Sequence, residues 1–311
     1  MPDALLSASS SSKKQRSFAI TGILAALLAL YAFTRILQIL PISTPSTPIV
    51  ALEILSTLTF ALIHGTEHYR LRGILVFAAI CLLIGNALEN IGVLTGFPYG
   101  HYEFLPLMGP QLLHVPILLG LAYIGMAYIS WTLARLILRA TTTQPQGTQR
   151  ITLPLLAAFI MTAWDFAQDP VWSTLLHAWR WRDGGMWFGV PITNFAGWLL
   201  TVSLIYFVFA LYLCRRPAVI STPESPHWRA SVLLYALCAI GNALEILRPQ
   251  PMAVIADSTG AIWHPAAILR ASALVSIFIM GSFVLIAWLR IPRQPAHSRL
   301  AGSRTDSKRM V

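Results

Sequence analysis

The chain has 311 residues, of which 56% are hydrophobic and 11% are charged, and its mean hydropathy is +0.65. This composition excludes an ordinary soluble domain and predicts an integral membrane protein. The net charge of +10 is scattered over predicted loops and tails, so it indicates membrane topology and gives no reason to expect a nucleic-acid partner.

Eight apolar stretches are long enough to cross a bilayer, which takes about 20 residues each. We therefore predict an all-α, polytopic bundle of about eight transmembrane helices near 17–40, 48–63, 72–94, 113–138, 151–170, 188–213, 230–247 and 265–289. Residues 17–290 form one membrane domain, whereas the Ser-rich residues 1–16 and the basic residues 291–311 are predicted to be disordered tails. Most of the 22 Lys and Arg residues fall on one side, which predicts that both termini are cytoplasmic.

Two outer-side loops are rich in Gly, Pro and aromatic residues, which break helices. The first begins TGFPYGHY at 95–102, and the second runs from Trp172 to Pro191 around several glycines. Irregular backbone at membrane depth is tolerated where it lines a cavity, so these loops are candidates for a binding site. The alternative interpretation is an aromatic belt at the membrane surface, which accounts well for Trp179 and Trp181.

Three carboxylates at membrane depth are the strongest candidates for chemistry. Asp165 and Asp169 are four residues apart and therefore share one face of an apolar helix. A carboxylate there costs about 2.5–3.5 kcal/mol on insertion scales, so such residues are usually functional. Glu89 is the third candidate and ends the hexapeptide IGNALE, which recurs at 240–245. The structural alternative for each is a polar group that ties helices together by hydrogen bonds.

Several motifs in order resemble the membrane carotenoid biosynthesis hydratase family. The resemblance covers roughly residues 60–213 and rests on ENIG at 89–92, TGFPYGHY at 95–102, TAWD at 162–165, DP at 169–170, WFGVP at 187–191 and NFAGW at 194–198. It implies a hydro-lyase, without cofactor or metal, whose partners are a carotenoid substrate and the membrane lipids. The reaction is addition of water across the terminal C=C of an acyclic carotenoid end group, which gives a tertiary alcohol.

The resemblance also implies roles for individual residues. Protonating an unactivated alkene makes a tertiary carbocation, so a carboxylic acid kept protonated by an apolar site is needed. Asp165 is the first candidate for that acid, Asp169 for orienting the water and taking its proton, and Glu89 is the alternative acid. The candidate substrate-binding residues are Trp164, Trp187, Phe188, Tyr99, Tyr102, Asn194 and Trp198. Among them, Trp164 and Trp187 could shelter the cation, because indole faces attract positive charge.

Two other classes of function stay open. His64 and His68 belong to an H-x-x-E-H pattern, which can bind a metal and would suit a di-iron-like oxygenase. This pattern lies at the predicted cytoplasmic boundary, on the opposite side from the aspartates, and the other histidines are isolated. A transporter or sensor without catalysis is the third class, since intramembrane carboxylates also mark ion paths.

Overall fold

The all-helical, multi-span fold predicted from the sequence is confirmed. The computed structural model describes residues 2–40, 46–140, 142–217, 227–248 and 253–291. In these residues seven helices are long and apolar enough to cross a membrane. The helices are α1 Pro2–Ile39, α2 Thr47–Thr95, α3 Ile117–Ile137, α4 Gln149–Pro170, α5 Ile192–Cys214, α6 Trp228–Leu244, α7 Pro265–Val275 and α8 Gly281–Arg290. A π-helical turn at Val171–Leu175 extends α4, and another at Ser276–Met280 joins α7 to α8 in one span.

Helix α2 is 49 residues long and takes the place of two predicted helices. Its backbone leaves helical geometry at Arg70, where φ is 57° and ψ is 166°. The side chain of Ile74 lies against Gly65, although nine residues of straight helix would separate the two by about 13 Å. This contact shows that the chain reverses direction at Arg70. Thr47, at the start of α2, donates a hydrogen bond to the carbonyl of Leu107, beyond its end. The two halves therefore form a helical hairpin, and with α2 counted twice the seven helices give the eight predicted crossings.

Helix α3 lies at the centre of the bundle. Of its most apolar window, 83% is buried inside the protein, compared with 17% for α1 at the periphery. A helix that is apolar on all sides is expected at such a central position. Helices α3 and α5 each pack against both α2 and α4, so these four form a core in which α2 and α4 are diagonal.

Loops at one end of the bundle form a cap, which we define as residues 96–116, 171–191 and 253–264. The cap contains three short antiparallel strand pairs. Strand β1 (Tyr102–Phe104) pairs with β4 (Trp179–Trp181), β2 (Gln111–Leu112) with β3 (Val115–Pro116), and β5 (Ile255–Ala256) with β6 (Ile262–Trp263). The β1–β4 pair matters most, because it joins the first outer loop to the second.

The two ends of the described chain lie on the side opposite the cap. Arg16 in α1 forms an ion pair of 2.8 Å with Glu67, close to the reversal at Arg70. The last span starts at the cap with Pro265 and ends at Arg290 after 26 residues. Helix α1 begins at Pro2, so residues 2–16 are helical where a disordered tail was predicted. Of the predicted tail 291–311, all but residue 291 lies outside the described residues.

Candidate active site

The aspartates of α4 form one unit with an amide from α5. Asp165 and Asp169 are buried and lie one turn apart on the same face, as their spacing predicted. Asn194, in the first turn of α5, donates from Nδ2 to Oδ2 of Asp165 at 3.1 Å and to Oδ2 of Asp169 at 2.8 Å. One amide therefore holds both carboxyl groups together and fixes α5 against α4.

Asp169 also accepts hydrogen bonds from the cap. The indole N–H groups of Trp179 and Trp181 donate to its Oδ1 at 3.2 and 3.0 Å. Alternation along β4 points both tryptophans into the bundle, while Arg180 between them points outward and pairs with Glu103 at 2.6 Å. Asp169 thus accepts three N–H hydrogen bonds, from Asn194, Trp179 and Trp181. The W-R-W alternation was the available sequence signal, and the aromatic-belt interpretation missed these contacts.

Glu89 on α2 accepts two phenolic hydrogen bonds. Tyr102 of β1 donates to its Oε2, and Tyr123 of α3 donates to its Oε1 at 2.7 Å. Burial, together with the adjacent Glu89 carboxylate, raises the pKa of Tyr102 well above its ordinary value, so this phenol keeps its proton and remains a donor. The sequence did not predict that Tyr123 belongs to the site, because a single tyrosine in an apolar helix forms no recognisable motif.

Tyr99 packs its ring directly against Gly92 and Gly197, two glycines of the sequence motifs. Its ring lies between α2 and α5, and its hydroxyl hydrogen-bonds to Thr201 at 2.7 Å. A Cβ at Gly92 would lie 2.7 Å from Cδ2 of Tyr99, and one at Gly197 would lie 2.6 Å from Cδ1. The ENIG and NFAGW motifs therefore provide the room in which this aromatic ring packs.

A small cavity of about 30 Å³, which we call the carboxylate cavity, lies between Glu89 and Asp169. It is lined by Glu89, Tyr99, Tyr102, Phe104, Leu119, Asp169, Trp179, Trp181, Asn194 and Trp198. Because α2 and α4 are diagonal in the core, Glu89 and Asp169 reach the cavity from two different walls. Asp165 is one turn deeper and is linked to the cavity through Asn194. The remaining walls are mainly aromatic, and Trp198 stacks on Tyr123 with ring centroids 4.8 Å apart.

Three predicted substrate-binding residues lie outside the lining of this cavity. Trp164 packs edge-on against Trp198, with centroids 6.2 Å apart. Trp187 stacks on Phe166 at 4.6 Å, and Phe188 packs against Trp263 in the cap. A substrate role for these three residues therefore remains a prediction, whereas Tyr99, Tyr102, Asn194 and Trp198 are brought together around the cavity.

The histidine pattern lies near the Arg70 reversal, away from the cap. Both ring nitrogens of His64 have protein partners, with Nδ1 2.6 Å from the Tyr128 hydroxyl and Nε2 3.0 Å from the Ser231 hydroxyl. The Arg135 guanidinium lies over the Trp228 ring, which packs against His68. Within the described residues, no group of three His, Cys, Asp or Glu side chains could hold a metal ion.

The fold and the cavity define a multi-span membrane protein with carboxylates buried in an aromatic pocket at one end of its helices. A model of the family described as carotenoid biosynthesis protein matches residues 49–260, about two thirds of the 311-residue chain. The chain belongs to this family, which confirms the resemblance found in the sequence. The match extends beyond residues 60–213 at both ends, to include the first turns of α2 from residue 49, all of α6 and strand β5 of the cap.

A curated relative gives a more specific likeness. Over 130 residues the chain is 32% identical to bisanhydrobacterioruberin hydratase of Haloarcula japonica. That match covers 41% of this chain and 41% of the relative, so it spans less than half of either protein. No solved structure matches the chain.

Proposed function

We propose that this carotenoid biosynthesis protein is a hydratase that adds water across the terminal C=C of an acyclic carotenoid end group. The product would be a tertiary alcohol. The observation that carries the proposal is the buried cavity, in which Glu89 and Asp169 reach an otherwise mainly aromatic space from two walls. The name of the Haloarcula relative supports the same reaction class.

The chemistry requires an acid, a positioned water and surroundings that tolerate a cation. Protonation of the less substituted alkene carbon leaves a tertiary carbocation, which the water oxygen then captures before losing a proton. The faces of Trp179, Trp181 and Trp198 line the cavity and can stabilise positive charge. Hydration neither oxidises nor reduces the substrate, so the balanced reaction needs only water and the returned proton.

The acid is proposed to be the aspartate pair. Two close carboxylates tend to hold one proton between them, and Asn194 keeps this pair together. Asp169 lines the cavity and Asp165 does not, so the proton that the pair shares would reach the alkene through Asp169. This assignment differs from the sequence-based one, in which Asp165 was the donor and Asp169 oriented the water.

Glu89 is proposed to orient the attacking water and to accept its proton. It lies on a different wall from Asp169, and the Tyr102 and Tyr123 hydroxyls fix both of its oxygens. Proton transfer to the alkene by Asp169 and proton removal from the water by Glu89 then balance over one turnover. The proton returns from Glu89 to the aspartate pair before the next substrate binds.

The cavity volume supports binding of the attacking water. About 30 Å³ has room for one or two water molecules, each of which needs about 10–15 Å³ of such space. An end group would enter by moving the aromatic walls apart, while the polyene stays among lipid tails. The charge distribution supports a cap on the outer side and cytoplasmic termini.

The test is an oxygen-labelling experiment with purified protein in lipid nanodiscs. Lycopene is supplied under nitrogen in H₂¹⁸O, and the product is analysed by mass spectrometry. We expect a product heavier by one molecule of labelled water, absent with Asp169→Asn and retained with the control His68→Ala. A hydroxyl derived only from O₂ and lost with His68→Ala would replace the proposal with an oxygenase. If no product forms either under nitrogen or in air, the result would contradict catalysis and favour a transporter or sensor.

A further inference from the structure

A second, polar pocket lies within the cap, and we call it the cap pocket. It has a volume of about 50 Å³ and lies between the second outer loop and the β5–β6 hairpin. Its lining includes the hydroxyls of Ser173, Thr174 and Ser258 and the charged groups of Arg180 and Asp257. Arg180 and Ser258 are exposed, so the cap pocket meets the aqueous phase above the bundle.

The cap pocket and the carboxylate cavity share a wall. Trp181 lines both spaces, with its indole N–H on Asp169 and its backbone carbonyl accepting a hydrogen bond from Ser258. Ser173, on the cap-pocket side, donates its hydroxyl to the backbone carbonyl of Asp169 at 2.7 Å. Trp181 is therefore a wall that the two spaces have in common.

Asp257 gives the cap pocket a fixed negative charge. Burial acts to raise its pKa, but hydrogen bonds from Thr259, Trp263 and the backbone N–H of Ala261 outweigh that effect and lower the pKa below its ordinary value. The carboxylate is consequently ionised at neutral pH. An ionised group and several hydroxyls favour a water-filled pocket, and 50 Å³ has room for a few water molecules at about 10–15 Å³ each.

We propose that the cap pocket is the entrance through which water reaches the carboxylate cavity, with Trp181 as the wall that moves to admit it. This inference rests on the proposed hydratase function, which consumes a water in a space otherwise surrounded by aromatic side chains and lipid. Water would pass from the hydroxyls of Ser173 and Ser258, past the indole, to Glu89. The carotenoid would enter separately from the lipid side.

The experiment blocks the cap pocket chemically. Ala256 lines it, whereas Ala261 lies on the same hairpin but outside it, so Ala256→Cys and Ala261→Cys are a matched pair. Each variant is conjugated with a bulky, membrane-impermeant thiol reagent in nanodiscs, and hydration is measured before and after. We expect conjugation at residue 256 to lower kcat by about tenfold or more without changing KM for the carotenoid, and conjugation at residue 261 to leave both unchanged. Complete conjugation at residue 256 with unchanged kcat would overturn the proposal.

A second measurement does not depend on hydratase activity. Leu119 lines the carboxylate cavity, so in Leu119→Cys the thiol reports how fast a small water-soluble reagent reaches it. We expect Ala256→Trp to slow this labelling and Trp181→Ala to accelerate it. A labelling rate that neither substitution alters would refute the cap-pocket route. Absence of hydration in the unmodified protein, with labelling still controlled by residue 256, would instead refute the hydratase function and leave the route intact.

Discussion

The change Tyr123→Phe isolates the contribution of one hydrogen bond to the proposed reaction. It removes the hydroxyl that donates to Oε1 of Glu89 at 2.7 Å and keeps the ring that stacks on Trp198. Hydrogen bonds to charged groups contribute about 1.5–3 kcal/mol. If that energy is lost in the transition state, kcat falls by about 10- to 150-fold, since about 1.4 kcal/mol corresponds to a factor of ten.

The assay is steady-state hydration in nanodiscs, together with thermal unfolding. The matched control is Tyr206→Phe, which removes a hydroxyl that donates to the backbone carbonyl of Ala127 at 2.9 Å, outside the cavity lining. Both variants should lower stability by similar small amounts, about 0.5–1.5 kcal/mol for the control. Only Tyr123→Phe should lower kcat. Equal kcat values for the two variants and the wild type would refute a role for the Tyr123–Glu89 hydrogen bond in the reaction.

Three further changes test the site and its framework. Asp169→Asn should reduce hydration by at least about 10²-fold while the protein stays folded, and full activity would exclude this residue as the proton donor. Gly197→Ala should cost about 1–3 kcal/mol in thermal unfolding, because the new methyl group would lie 2.6 Å from the Tyr99 ring. Gly22→Ala, with no atom within 4 Å, is its control and should cost nothing measurable. Arg35→Met should cost about 3–5 kcal/mol, since it leaves the buried Glu245 and the partly buried Glu53 without their cation, and unchanged unfolding would contradict that account.

The positions of the spans followed from composition, because the bilayer selects apolar stretches of fixed length. The detail around Arg70 did not follow from composition. The polar residues 64–70 were read as a boundary between two helices, yet helical geometry continues through them and breaks at one residue. His64 is compatible with a helix there because Tyr128 and Ser231 satisfy its ring nitrogens. Contacts from other helices decided the local structure, and sequence patterns do not contain them.

The candidate site was predictable where its geometry is local. Asp165 and Asp169 share a face because four residues make about one helical turn. The partners of Glu89 and Asp169 come from other elements, including Tyr123, which is 34 residues from Glu89 in the sequence. The register between β1 and β4, which places Tyr102 opposite Trp181, depends on two separate loops meeting. No spacing rule predicts such a meeting.

The repeated hexapeptide IGNALE also shows that the sequence of a segment does not predict its partners in the fold. Both copies end near the cap, but Glu89 accepts hydrogen bonds from two phenols, whereas Glu245 forms a 2.6 Å ion pair with Arg35. Arg35 also donates to Asn242 of the second copy at 2.9 Å. The same hexapeptide therefore places Glu89 in the lining of a cavity and Glu245 in a buried ion pair.

The depth of the carboxylate cavity has a consequence for the fate of the product. The β1–β4 pair covers the cavity like a roof, and its outer face carries the exposed Arg180 and the half-buried Glu103. Under the proposed reaction, the new hydroxyl would be made directly beneath this roof. Moving an unpaired hydroxyl into hydrocarbon costs about 4–8 kcal/mol on alkane scales. An alcohol made beneath this roof would already have water within reach, so it could leave sideways into the lipid without its polar end ever crossing the hydrocarbon interior.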